Sequence, residues 1–565
     1  MLNRKGLFNF STLFLSAVLA CFFASGVFAG PAQIVIVNIN AAGVGFNDPT
    51  PAEPVGGNPG TTLGEQRRIA FEYAASLWSA RLNSDVPIRI RAQFTPLGTN
   101  VLGSAGAVTF VRNFPGAPMP DTWYHVALAN SLAGFDLTPT GDDINANFST
   151  NFNFYLGLDN NHGSQNDLVA VLLHEFAHGL GFSQTASLTS GQFLGAGNPV
   201  VRSPDPYNRR LLDTTLGLYW PEMTPAQRVT SATNSGKVVF DGSFVNEQVP
   251  NVLSFGIPIL RINSPASIAG AYPAGTASFG QPLSGSGLTG NIVQGLDAAN
   301  TEGPTTTDGC SPLTNPEQIV GNIAIIDRGT CTFVIKAINA QNAGAVAMII
   351  ADNAAGSPPA GLGGTDPSIT IPSIRVTQTD GNTIKAQLGA GVNGTLALDL
   401  SVLAGADPLG RMRVNAPFPV ASGSSISHYD PIAFRNLLME PAINPDLTHK
   451  LKAPDDLTFE LLRQIGWTFP DADGDGVVDD EDCNPNSNLA ATIVIGGFDS
   501  GVSNKLFANG CTMSDVIANI AAGAGNHGQF ESSIAALTNG WVSEGLITGK
   551  EKGAIQSSAA RARIP

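Results

Sequence analysis

Gln33 to Ile39 is an apolar run rich in β-formers and reads as a strand. Thr62 and Glu65 have capping-box spacing, and Ile69, Tyr73 and Leu77 then recur every four residues, which predicts one face of a helix. Ile88, Ile90, Ala92 and Phe94 alternate with Arg89, Arg91 and Gln93, the pattern of a half-buried strand. Strand, helix and strand in that order predict an α/β layer. Asp167 is a good N-cap for a second helix from Leu168 to Gly179, and Gly181 sits where that helix would stop. From Gly256 to Leu403 the texture changes to short strands with Gly and Pro turns. A compact pattern returns near Phe418 and ends at Trp467. An aspartate-rich loop and a helix-prone tail follow.

With 565 residues the chain is too long for one core, and two to four domains are expected. Hydrophobic content of 43% beside 13% charged residues fits an ordered globular protein. A net charge of −16 argues against nucleic acid as a partner, because phosphate binding needs basic patches. Arg4 and Lys5, the apolar stretch Leu7 to Phe28 and the small residues around Ala29 predict an export signal, with a mature start near Gly30. Val18-Leu19-Ala20-Cys21 is a rival lipoprotein-like box, disfavoured by the greasy residues after Cys21. No later segment has the length of a membrane span. The expected location is secreted and extracellular, with the periplasm or cell surface as variants. Four cysteines remain after the signal. Proximity pairs Cys310 with Cys331 and Cys483 with Cys511, as disulfides of an oxidising compartment.

The second helix carries His174-Glu175-Phe-Ala-His178. Residues four apart share a helical face, so His174 and His178 can grip one zinc ion, while Glu175 can act as general base on its water. A catalytic zinc takes three protein ligands and keeps an open position. The compact motif would place a third His where this chain has Gln184, and no Glu occurs between Glu175 and Glu222 to serve instead. Asp205 is one candidate oxygen ligand. Of the seven histidines, His428 stands out by its context, Ser424-Ser-Ile-Ser-His428-Tyr-Asp, followed by Met439.

A His with a Met eleven residues on, after His-Glu-x-x-His-x-x-Gly-Phe, resembles the leishmanolysin family of metzincin zinc proteases. The resemblance implies His428 as third zinc ligand and Met439 as the residue of a turn beneath the metal. Pro441 stands where some metzincins have a ligand tyrosine, so none is expected. Between the two metal segments, Asp327-Arg328-Gly329-Thr-Cys331-Thr-Phe333, the following Lys336–Gly344 stretch and the apolar run Val346 to Ile350 resemble a protease-associated (PA) domain, which implies strand, turn, helix and strand. Asp327 and Arg328 are read as structural.

Asp471, Asp473, Asp475, Asp479 and Asp482 fall at positions 1, 3, 5, 9 and 12 of a calcium loop, with Gly476 at 6 and the Val477 carbonyl at 7. With Cys483-Asn-Pro after it, the segment is similar to a thrombospondin type 3 repeat and implies structural calcium.

The expected fold is multidomain α+β. It comprises a signal (1–29), the first part of a metzincin-type catalytic domain with a mixed sheet and active-site helix (30–255), and an inserted β-rich α/β PA domain (256–403). The rest of the catalytic domain (404–468), a calcium loop (469–487) and a small helical module (488–565) follow. The expected function is a secreted zinc metalloendopeptidase acting on protein or peptide substrates through Glu175. The alternative is a degenerate, calcium-stabilised binding or adhesion protein.

Overall fold

The structure is a computed structural model that describes residues 30–197, 200–479 and 482–564. The predicted export segment with Cys21, and Asp480 and Glu481 of the acidic loop, lie outside the described residues.

The first unit is built on a four-stranded sheet of β1 (Ile34–Asn38), β2 (Ile88–Thr95), β3 (Gly103–Ala107) and β4 (Ile144–Ser149), in the order β1–β2–β4–β3. The first three in that order run parallel, with Ile36 against Ile90 and Ala92 against Ala146. The β3 strand is antiparallel to β4 and forms an edge. Helix α1 (Leu63–Ser79) begins at Thr62, whose hydroxyl accepts the Glu65 N–H. Glu65 returns its carboxylate to the N–H and hydroxyl of Thr61, one residue earlier than a standard capping box. The apolar face of α1 and the inward residues of β2 and β4 meet in an aromatic cluster. Phe71 lies 4.9 Å from Phe148 and 5.9 Å from Phe176 of α2 (Leu168–Leu180), ring centroid to centroid.

Residues on both sides of the PA segment share this core, which runs from Ala32 to Leu253 and resumes from Ala406 to Val478. A small sheet stitches the halves together: Val239 pairs with Arg413, and the strand containing Val239 pairs with Leu211–Asp213. Between the halves lies an eight-stranded sheet with its own buried clusters on two faces. Its strands are β5 (Phe255–Ser264), β6 (Gly270–Pro273), β7 (Gly275–Thr276), β8 (Leu288–Gln294), β9 (Ile323–Asp327), β10 (Ala347–Ala351), β11 (Ser373–Val376) and β12 (Val392–Leu403). They lie in the order β6–β5–β12–β8–β9–β10–β11–β7. The near-continuous apolar runs of β9 and β10 are buried on both faces, as parallel strands require. Cys310 and Cys331 are disulfide-bonded. Asp327 pairs with Lys385 at 2.6 Å and Arg328 with Asp352 at 3.1 Å, so both charges are engaged within the domain.

The insertion leaves and returns at one place. Phe255 of β5 registers against Leu403 of β12, and the Ala404 N–H donates to the Ser254 carbonyl at 2.9 Å. A domain whose ends touch can be accommodated in a loop with little entropic penalty. The tail is not purely helical. A hairpin (Thr492–Ile495 and Phe498–Ser503) packs with three helices (Met513–Gly523, His527–Ser543 and Gly549–Arg561) around a separate core. The Cys483–Cys511 disulfide ties the acidic loop to this module.

Candidate metal centre

Every residue of α2 is buried, and all but His174, Glu175 and His178 are apolar or glycine. One side lies against the sheet and needs Gly179, where a Cβ would come within 2.5 Å of Ile144 Cγ2. The helix ends at Gly181, whose φ of 123° is open to glycine, and a Cβ there would strike Ile465. Trp78 Nε1 donates to the Leu173 carbonyl and Trp467 Nε1 to the Leu180 carbonyl, fixing the helix from both halves of the unit. At the N-terminus Asp167 accepts the Val169 N–H, and its second oxygen lies 2.8 Å from His449 Nε2.

His174 and His178 lie one turn apart on α2, and His428 comes from 250 residues beyond His178. Their Nε2 atoms form a triangle with all three edges 3.2 Å. Each Nδ1 faces a backbone carbonyl. His174 meets Leu438 O at 2.7 Å, His178 meets Phe182 O at 2.7 Å, and His428 meets Ser424 O at 2.9 Å. A carbonyl only accepts, so each Nδ1 carries the proton and each neutral ring turns an Nε2 lone pair inward. Three converging lone pairs repel one another and have no proton to share; a cation resolves the arrangement. Zinc with metal–nitrogen bonds of about 2.0–2.1 Å in tetrahedral geometry separates its ligand nitrogens by about 3.3 Å. The three residues fit that ion.

Burial holds all three rings neutral. It lowers His174 to about 3 and His178 to about 4, and takes His428 well below the ordinary histidine range. Neutral imidazole is the metal-binding form. Glu175 is 7% exposed, and burial pushes it up to about 8 against a single opposing hydrogen bond from the Ala105 N–H. That amide belongs to β3. Gly103 on the same strand approaches so closely that a Cβ there would lie 2.9 Å from Glu175 Cγ.

The carbonyls that orient the rings are themselves held. Leu438 precedes Met439, which is fully buried and whose carbonyl accepts the Tyr429 N–H. Asp456 accepts the Leu438 N–H at 2.7 Å and Glu440 accepts the Leu437 N–H at 2.8 Å. Burial raises these carboxyls to about 6 and about 8. Ser424 and His428 close a loop in which Asn415 Nδ2 donates to Ser424 Oγ and the Asn415 N–H to the His428 carbonyl. Within it Ile426 has φ 69°, a region that a β-branched residue enters only under strain of about 1–3 kcal/mol. The buried Tyr207 hydroxyl grips the Ile426 carbonyl at 2.8 Å and holds that conformation.

Sequence reasoning did not find Tyr207, Asp456, Glu440 or the three carbonyls. Asp205 stands apart from the imidazoles: its carboxylate accepts from Thr185 N and Oγ1 and from Asn208 N, and burial raises it to about 6. Gln184 caps a local turn at the Ala186 N–H. His125 is buried with its Nε2 2.7 Å from Ser183 Oγ. His162 and His527 face backbone carbonyls of Pro445 and Ile564.

In the acidic loop, carboxylate oxygens of Asp471, Asp473 and Asp475 lie within 4.8 Å of one another. Asp475 is raised, first by burial and then by the charges of Asp473, Asp482 and Asp471. All five aspartates accept backbone amides: Gly474 and Gly476 donate to Asp471, Ser487 to Asp473, Val477 to Asp475, Ala472 to Asp479 and Asn484 to Asp482.

The family model of the PA domain matches residues 288–384, so that domain is present. Among curated proteins the chain is similar to human ER degradation-enhancing alpha-mannosidase-like protein 3. They are 45% identical over 84 residues, which cover 15% of this chain and 8% of that protein. It is also similar to vacuolar-sorting receptor 2 of Arabidopsis thaliana, 31% identical over 150 residues, covering 25% of this chain and 24% of that one. The chain therefore spans less than a quarter of the length of these relatives. Among solved structures, a zinc aminopeptidase from Bacillus subtilis is 25% identical over 27% of this chain and 35% of its own, with a TM-score of 0.19. No helix among the described residues is long and apolar enough to cross a membrane.

Replacing Tyr207 by Phe leaves the Ile426 carbonyl without its buried donor. We expect a loss of about 1–3 kcal/mol in denaturant unfolding of the first unit, followed by tryptophan fluorescence. An unchanged midpoint would show that Ile426 is held by other means.

Proposed function

We propose that the chain is a zinc-dependent endopeptidase of the metzincin type, with zinc held by His174, His178 and His428. The observation that carries this reading is the 3.2 Å triangle of Nε2 atoms whose rings are locked by Nδ1–H bonds to three carbonyls. Zinc bound there supplies Lewis acidity toward a peptide carbonyl and lowers the pKa of water to about 7. The remaining parts belong to the chain. Glu175 follows His174 on the same buried helix; the charge of a bound zinc would favour its carboxylate form against the burial that raises it to about 8, leaving it placed to take a proton from the attacking water and return it to the leaving amine. Its own carboxylate is fixed by the Ala105 N–H, which points away from β4.

The free edge of β3 thus runs past Glu175. An extended peptide laid along that edge can pair with its backbone while its scissile bond faces the carboxylate. Such a mode reads backbone rather than side chains, and it favours an unfolded or loop segment within a longer substrate over a free terminus. The intact Glu175 also separates this reading from a degenerate binding protein, since a structural zinc has no use for the carboxylate.

The acidic loop is assigned to structural calcium, with Asp471, Asp473 and Asp475 as the nucleus and Asp479, Asp482 and the Val477 carbonyl as the remaining ligands. Mutual repulsion of the first three carboxylates supports it. The two disulfides and the predicted signal support export to an oxidising compartment.

Purified chain should bind one zinc and cleave a denatured protein, and chelator should stop it. Glu175→Gln should keep the zinc and lose roughly 10²–10⁴-fold in rate. His428→Ala should release zinc in dialysis that leaves the native chain loaded. Undiminished activity in the first variant, or full zinc in the second, would overturn the assigned roles. For the acidic loop, calcium at about 100 times its dissociation constant should stabilise the loop and tail by about 2.7 kcal/mol, read as a rise in Tm. Asp473→Asn should abolish that rise; a native Tm that ignores calcium removes the assignment.

A further inference from the structure

Away from its two ends, the PA insertion meets the first unit at the loop that delivers His428. The Ser357 N–H donates to the Phe418 carbonyl at 2.9 Å, and the Phe418 N–H donates to the Ser357 carbonyl at 2.7 Å. This is a two-bond antiparallel bridge between domains. Gly356 beside it lies against the Phe418 carbonyl, at a distance where a Cβ would make van der Waals contact. On the PA side, the bridge lies five residues beyond Asp352, which directly follows β10 and is anchored by Arg328 and Arg375.

On the other side the connection to the metal ligand is short. Two residues separate Phe418 from Ala421. The Ala421 N–H donates to Ser425 Oγ, and the Ala421 carbonyl accepts from the Ser424 and Ser425 amides at 3.1 and 2.9 Å. The carbonyl three residues on, that of Ser424, is the one that His428 Nδ1 uses. Phe418 itself is 51% exposed, so its side chain gives the bridge little packing support. The loop is held by Asn415 and Tyr207 near His428, and by the other domain at Phe418.

We propose that the PA insertion is a positioning element for the third zinc ligand, acting through the Ser357–Phe418 bridge on the loop that carries Ser424 and His428. This rests on the zinc-peptidase reading above. Partners that orient a metal-bound imidazole contribute to metal affinity although they never touch the metal. Coupling of this kind is reciprocal. Zinc binding must stiffen the bridge, and any ligand or contact that displaces the Ser357 segment must loosen zinc by the same factor. The insertion would then tune the metal site of the unit that hosts it, a role distinct from contacting substrate.

The test uses the full chain. Amide hydrogen exchange with and without zinc should slow in peptides covering 353–360 when zinc is bound, while peptides covering β9 and β10 stay unchanged. Ser357→Pro removes one donor of the bridge and should weaken zinc, measured by competition with a chromogenic chelator, by roughly three- to tenfold. Ser357→Ala keeps the backbone N–H and should bind zinc as the native chain does. Native zinc affinity in Ser357→Pro, equal weakening in both variants, or zinc-independent exchange at 353–360 overturns the proposal. If the native chain itself takes up no zinc, the peptidase reading has failed, and this inference goes with it. Zinc bound by the native chain and by Ser357→Pro alike removes this inference alone.

Discussion

The three hydrogen bonds from histidine Nδ1 to backbone carbonyl decide what this site can be. An imidazole that donates from Nδ1 has one option left at Nε2, a lone pair. Repeating that constraint at Leu438, Phe182 and Ser424 turns three flexible rings into three fixed donors aimed at one point. The carbonyls come from a turn in the second half of the unit, from the residue just past α2, and from the loop leading into His428. Much of the fold around α2 can be understood as the means of holding these three oxygens still. The buried carboxyls of Asp456 and Glu440 serve the first, the Gly181 turn the second, and Asn415 and Tyr207 the third.

The same constraint explains why a whole domain can interrupt the unit. The histidine triangle fixes where the ring of His428 must lie, and it is indifferent to the length of chain between His178 and His428. Because Phe255 and Leu403 are partners in one ladder, the insertion adds length without moving the two strands that it separates. The paired strands Val238–Phe240 and Met412–Arg413 then restore the host fold within a few residues of the return.

Legibility in the sequence followed the kind of interaction. His174, Glu175 and His178 are legible because a helix converts spacing into direction, and Asp167 and Gly181 mark its ends. His428 has no such local signal; the resemblance through Met439 singled it out, and the structure places its ring with the other two. The orienting carbonyls are illegible, since every residue has one and none announces its partner. Tyr207 and Asp456 were missed for a related reason: a buried tyrosine or aspartate looks like any other until the backbone group it serves is known. The hairpin in the tail was hidden by the helix propensity around it. In the acidic loop, spacing gave six ligands. The structure gathers the carboxylates of Asp471, Asp473 and Asp475, and backbone amides of the loop and its flanks donate to all five aspartates.

Burial and strain around the imidazoles point the same way as the geometry. Glu175, Glu440, Asp456 and Glu460 are all buried, and burial raises each of them toward or above neutrality. Ile426 occupies a backbone region that disfavours its side chain. A fold selected for stability alone would replace such groups with apolar residues and a glycine. Glu175 adjoins His174, Glu440 and Asp456 hold the amides of Leu437 and Leu438, and Ile426 lies two residues before His428, the placement a site demands when it must hold polar atoms in fixed positions away from water. That distribution argues that the histidines are arranged for chemistry rather than packed by accident. It also locates the sensitivity of the site in its supports, which lie on three separated stretches of chain.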